Sequence, residues 1–138
     1  MTSKPATILI VDDDEATLTS LGGFLELEGY GVETAVNGRE ALDKLARIEP
    51  PALILLDLKM PVMDGWEFLS ERSHDRASRR VPIVLLSGFP FIPNAPGVAD
   101  FLSKPIHPPR LLECVRRFCG DPSRVGRSVP AGRPTTRT

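Results

Sequence analysis

The chain has 138 residues, of which 41% are hydrophobic and 25% charged, with a formal net charge of -1. That is enough for one ordinary domain with its own core, plus short tails. The near-neutral balance gives no general attraction to nucleic acid or anionic lipid, and no apolar run is long enough to cross a membrane.

The N-terminus, MTSKPATILIVDDD, holds a tail (1–6) and then the short apolar run Thr7–Val11. Three aspartates stop that run, so it is no signal-peptide core, and a cytoplasmic location is the default expectation. Asp14–Glu28 carries Ala16, Leu18, Leu21, Phe24, Leu25 and Leu27 at mostly helical spacing, with Gly29 as its stop. Gly31–Val36 reads as a weaker strand. Asn37 can cap a helix to about Ile48, with Ala41, Leu42, Leu45 and Ile48 inward, before Pro50 and Pro51 break it.

Ala52–Leu56 is the most apolar segment and stops at Asp57. Asp64-Gly65 reads as a turn. A helix from about Gly65 to Arg72 follows, with Trp66 or Phe68 and Leu69 inward. Val81–Leu86 is a fourth strand, ending at Ser87. Asp100–Ser103 is a short fifth strand, ending at Lys104. Pro108 and Pro109 suit a helix start, Leu111, Leu112, Val115 and Phe118 give it an apolar face, and Gly120 closes it. Cys114 and Cys119 lie at i, i+5 on this helix and turn to different faces, so no disulfide between them is expected. Residues 121–138 are rich in Pro, Gly, Ser, Thr and Arg and are expected to be disordered. From Gly120 onward Asp121 stands against Arg124, Arg127, Arg133 and Arg137, a net charge of +3.

Strands alternating with helices predict an α/β fold with a doubly wound five-stranded parallel sheet over residues 7–120. In such sheets, ligands bind outside the carboxyl ends of the strands. The residues there are Asp12, Asp13, Asp57, Ser87 and Lys104. Clustered carboxylates repel one another, and a divalent cation removes the conflict. Mg²⁺ takes oxygen ligands and commonly joins carboxylates to phosphate. Asp57 can act as a nucleophile towards phosphorus, Lys104 can neutralise one phosphoryl oxygen, and Ser87 can donate to another.

The elements ILIVDDD at 8–14, LILLDLKMPVMDGWE at 53–67, IVLLSG at 83–88 and DFLSKP at 100–105 resemble the response-regulator receiver family of two-component signalling. The resemblance covers Thr7 to Cys119 and suggests a single-domain regulator with flavodoxin-like strand order 2-1-3-4-5. It implies Asp57 as phosphoacceptor from a histidine kinase or phosphotransfer protein. It implies Mg²⁺ on Asp13, Asp57 and the backbone carbonyl of Lys59, with Asp12 acting mainly through a water. Ser87 matches the family's switch hydroxyl, Lys104 its lysine, and Phe101 its rotamer-switching aromatic, although Phe101 could equally fill the core. Pro105 follows what is commonly a cis peptide. Such a protein is no separate enzyme: it acts only on its own phosphoryl group and signals to a protein partner. With so short a tail, DNA binding by this chain is not expected. His74 and His107 are expected in loops, and neither suits a phosphorelay role.

The chain departs from the family at GFPFIPNAPGVA, residues 88–99. Pro90, Pro93 and Pro96 deny this stretch a normal fourth helix, so a Pro-rich loop is expected there. That divergent output face leaves an alternative, a non-switching interaction module. A phosphoaspartyl hydrolase fits less well, because Lys59 stands where such enzymes place a second acid.

Overall fold

The computed structural model describes residues 5–59, 63–72, 80–88 and 97–122. Its elements are β1 (Thr7–Val11), α1 (Glu15–Leu27), β2 (Gly31–Ala35), α2 (Gly38–Leu45), β3 (Leu53–Asp57), α3 (Gly65–Arg72), β4 (Ile83–Ser87), β5 (Val98–Ser103) and α4 (Pro108–Cys119). The five strands form one sheet in the order β2-β1-β3-β4-β5, all neighbours parallel. This is the doubly wound, flavodoxin-like arrangement expected from the alternation of strands and helices.

The period of two along each strand divides the core. Leu9, Val11, Ile54, Leu56, Ile83 and Leu85 face α2 and α3, meeting Ala41, Leu45, Phe68 and Leu69. Ile8, Ile10, Leu53, Leu55, Val84 and Leu86 face α1 and α4, meeting Leu18, Leu25, Leu111 and Val115. Strands β3 and β4 are buried at every position, which is why they read as unbroken apolar runs rather than alternating ones.

The helix starts are chemically specified. The Asp14 carboxylate accepts from the Ala16 N–H and opens α1. Asn37 accepts from the Glu40 N–H at 2.8 Å, and Glu40 reaches back to the Val36 N–H at 2.9 Å. Asp64 and Glu67 make the same reciprocal pair before α3, at 2.9 and 3.1 Å. The Asp64-Gly65 turn is thus also a helix cap. Pro108 and Pro109 open α4, Gly120 caps its end at φ 78°, and Gly29 after α1 has φ 102°.

Several sequence expectations need correction. Leu27 breaks the helical spacing of the apolar residues of α1 and is 88% exposed. At about 100° per residue it points away from Leu25, while Gly22 takes a sheet-facing place beside Val32. Phe68 and Leu69 are inward, whereas Trp66 is 42% exposed. α2 ends at Leu45 rather than near Ile48, and turn bonds from Arg47 and Ile48 to Lys44 continue it briefly. β5 starts at Val98, two residues earlier than Asp100, because Val98 pairs with Ile83 across an irregularity in the register. β4 starts at Ile83, after Pro82, which has no N–H to give to a ladder. Both cysteines are free, Cys114 buried and Cys119 partly so. The expected Pro-rich loop falls largely on residues 89–96, His74 on 73–79, and the tail on 123–138; these lie outside the described residues.

Candidate functional site

The carboxyl ends of β1, β3, β4 and β5 meet at one edge. Asp12 and Asp13 follow β1, Asp57 ends β3, Ser87 ends β4, and Lys104 follows β5. One oxygen from each of Asp12, Asp13 and Asp57 can be chosen so that all three lie within 4.8 Å of one another. Asp12 is fully buried, Asp57 is 7% exposed and Ser87 2% exposed, while Asp13 faces solvent.

Each group is held by its neighbours. The Asp12 N–H donates to the Ala35 carbonyl at 3.0 Å. Its Oδ1 accepts from the Asp14 N–H at 2.9 Å, and its Oδ2 accepts from Lys104 Nζ at 3.1 Å. Asp57 Oδ2 lies 3.5 Å from the same ammonium. Its Oδ1 accepts from the Lys59 N–H at 3.3 Å. The Lys104 N–H donates to the Ser87 carbonyl at 2.8 Å, and the Lys104-Pro105 peptide is cis, as expected. An open cleft of about 350 Å³ above Asp57 is lined by Leu58, Lys59, Ser87, Gly88 and Lys104.

The electrostatics follow from this crowding. Burial pushes the Asp57 carboxyl above its ordinary value, and the Asp12 charge adds to the effect against the opposing pull of Lys104. Burial alone would lower Lys104, but the hydrogen bond to Asp12 and the charges of Asp12 and Asp57 together outweigh it and raise its pKa. Asp14, beside them, is held below its ordinary value by the Thr17 hydroxyl and the Ala16 N–H. It serves the helix and stays out of the cluster. The donor set, three carboxylates with one ammonium, suits a hard divalent cation with oxygen ligands.

Phe101 does not line the cleft. It is 41% exposed on β5 and lines a surface groove with Asp100, Ile106, His107 and Arg110. The core-filling reading of Phe101 is therefore set aside. Sequence reasoning missed the close packing beneath the site. A Cβ on Gly65 would lie 2.8 Å from both the Asp57 carbonyl oxygen and Leu58 Cα. The Asp64-Gly65 pair was visible in the sequence, but a turn glycine and a packing glycine look alike there.

The model of the response regulator receiver domain matches residues 8–116. The chain belongs to the response regulator receiver family. The polar-differentiation response regulator DivK of Brucella anthropi is 32% identical over 122 residues, covering 85% of this chain and 98% of DivK. The chemotaxis response regulator CheY4 of Vibrio cholerae superposes with a TM-score of 0.74 at 31% identity, covering 83% of this chain and 99% of that one. The receiver domain of a sensor histidine kinase from Pseudomonas aeruginosa, with a magnesium ion coordinated in its active site cleft, superposes with a TM-score of 0.76 at 28% identity, covering 85% of this chain and 99% of that one. The chain is thus a receiver of the kind found in two-component systems, a family of signalling modules that bind Mg²⁺ in an acidic pocket. Among the described residues, no helix is long and apolar enough to cross a membrane.

Proposed function

We propose that this receiver accepts a phosphoryl group on Asp57 from the phosphohistidine of a histidine kinase or phosphotransfer protein. The observation that carries the reading is the convergence of Asp12, Asp13, Asp57 and Lys104 at one sheet edge, beneath a cleft open to a donor. Mg²⁺ would be held by Asp13, Asp57 and the Lys59 carbonyl, with Asp12 acting through water. When bound it supplies positive charge and an anchor for a phosphoryl oxygen.

The residues of the chain do the rest. Strand β3 fixes Asp57 on a rigid element, with its free lone pairs towards the cleft. An Asp57 oxygen bonds to phosphorus as the P–N bond to imidazole breaks, and the departing nitrogen keeps the electron pair. Lys104 neutralises one phosphoryl oxygen and Ser87 donates to another. Hydrolysis reverses the modification: water attacks phosphorus, the Asp57 carboxylate leaves, and inorganic phosphate is released. Both steps are autocatalysed, with no separate substrate.

Drawing the Ser87 hydroxyl inward moves the backbone after β4, and the proposed readout is a surface that includes Phe101, recognised by a protein partner. The folded unit is proposed to be residues 7–120, and the working location cytoplasmic. Incubation with acetyl phosphate and Mg²⁺ should raise the intact mass by one phosphoryl group, and Asp57→Asn should abolish the gain. A wild-type mass that stays constant under those conditions rejects the reading.

A further inference from the structure

The corner between β2 and α2 contributes no carboxylate to the site, yet both site loops are tied to it. Ala35, the last residue of β2, accepts from the Asp12 N–H at 3.0 Å. Gly38, the first residue of α2, donates its N–H to the Met63 carbonyl at 2.9 Å. Met63 closes the connection that begins at Asp57, and it is 8% exposed against Gly38. The corner itself is stiffened by the reciprocal caps of Asn37 and Glu40.

Gly38 is not demanded by its own backbone, which is helical. A helix usually prefers alanine to glycine by up to about 1 kcal/mol. What excludes a side chain is contact. A Cβ at Gly38 would lie 2.7 Å from Met63 Cγ, 2.8 Å from its carbonyl oxygen and 3.0 Å from Sδ. No ordinary packing distance is that short, so either the Met63 end of the loop moves or the corner does. Met63 leads through Asp64 into Gly65, whose N–H donates to the Leu58 carbonyl at 3.0 Å, so a shift at Met63 would reach the backbone between Asp57 and Lys59, opposite the loop holding Asp12 and Asp13.

We propose that the Ala35–Gly38 corner is a positioning element for the metal site: through the close Gly38–Met63 contact it sets the span between the Asp12–Asp13 loop and the Asp57–Lys59 segment, and thereby the affinity for Mg²⁺. The inference rests on the proposed Mg²⁺ role of those residues. Its physical ground is that Mg²⁺ tolerates little departure from octahedral geometry. Contacts that orient ligands without touching the metal commonly control about 10–100-fold of affinity.

The test is a double-mutant cycle on the full chain, read by calorimetric titration with Mg²⁺ and by thermal melting in EDTA. Gly38→Ala should weaken Mg²⁺ binding by about tenfold while the metal-free protein still melts cooperatively. Met63→Ala should lose less. The double variant should lose less than the sum of the two single losses, because the contacts with Met63 Cγ and Sδ are gone and only that with its backbone oxygen remains. Labelling by acetyl phosphate should slow in Gly38→Ala at limiting Mg²⁺ and recover at saturating Mg²⁺. Wild-type affinity in Gly38→Ala overturns the proposal, as do strictly additive losses. If Gly38→Ala does not fold, a folded Met63→Ala with wild-type affinity overturns it equally. A wild type that binds no Mg²⁺ removes the proposed function as well, whereas a wild type that binds and is labelled, beside an unaffected Gly38→Ala, removes this inference alone.

Discussion

Lys104→Met removes an ammonium that touches both buried carboxylates and keeps the length and packing of the stem. The Nζ distances are 3.1 Å to Asp12 and 3.5 Å to Asp57. At an effective dielectric near 20, each contact amounts to about 5 kcal/mol before desolvation is charged against it. The Lys104 side chain is 31% exposed, so water screens part of that, and Asp57 can relieve the strain by taking up a proton. Breaking a buried ion pair typically costs about 3–5 kcal/mol. With screening and protonation, about 2–3 kcal/mol remains at pH 7, or a fall of about 10 °C in melting temperature for a domain of this size. The dependence on pH has a definite sign. Asp57 is already raised above its ordinary 3.8, and losing Lys104 raises it further. A carboxyl with a raised folded-state pKa costs stability as pH rises from its unfolded value through its folded one, and the cost is complete above that. The deficit of Lys104→Met should therefore shrink as pH falls towards 4–5, roughly the ordinary carboxyl range. Mg²⁺ should help the variant more than the wild type, because it no longer competes with an ammonium. At a hundred times its dissociation constant, Mg²⁺ adds about 2.7 kcal/mol to either protein. The excess shows as a lower dissociation constant for the variant. Melting curves in EDTA and in a Mg²⁺ series, at two pH values, measure all of this. A variant that melts with wild type in EDTA, or that binds Mg²⁺ no more tightly, would refute the reasoning.

Two further outcomes test the core away from the site. The Tyr30 hydroxyl donates to the Gly120 carbonyl at 2.6 Å and closes the end of α4 against the turn after α1, so Tyr30→Phe should cost about 1 kcal/mol by urea denaturation; burial pushes that phenol up to about 12, and spectrophotometric titration of the native protein should show no tyrosinate below pH 10, roughly its ordinary midpoint. Burial, with the neighbouring Cys114, pushes the Cys119 thiol up to about 12, so both cysteines should react slowly with a disulfide reagent at pH 8, within about half a unit of a free thiol's pKa, and reaction at the rate of the unfolded chain would contradict their packing.

The fold was legible because its signals are local. Continuous apolar runs marked β3 and β4, capping side chains marked the helix starts, and the rule for parallel sheets pointed to Asp12, Asp13, Asp57, Ser87 and Lys104 as one site. The failures also have local causes. Leu27 stands two residues after Leu25, about 200° round the helix, so an apolar side chain there is not an inward one, and it stays in water. Val98 joined β5 because Ile83 and Val84 share an irregular register with it, a property of two strands together. Phe101 sits on the outermost strand, where an alternating pattern leaves it exposed. Gly38 and Gly65 are the clearest case. One opens a helix and the other follows an aspartate, so each has a sufficient local explanation. Their tighter constraint, a backbone or a methionine less than 3 Å from where a Cβ would stand, comes from residues distant in the chain.

The same charges support a reading of why such a site can switch. Asp12 is wholly buried and Asp57 nearly so, and the Lys104 ammonium is shared between them. Burial first, and then the Asp12 charge, raise the Asp57 carboxyl against the pull of Lys104. With Asp13 counted, three carboxylates and one ammonium leave a net -2 that one divalent cation would balance, and the proposed phosphorylation would redirect Lys104 towards a phosphoryl oxygen. Each step would change what the Lys104 head pairs with, and its N–H is bonded to the Ser87 carbonyl. Chemistry at Asp57 would therefore reach the ends of β4 and β5 through one residue. A switch built this way would need no long relay, because one residue joins the acidic cluster to the ends of two strands.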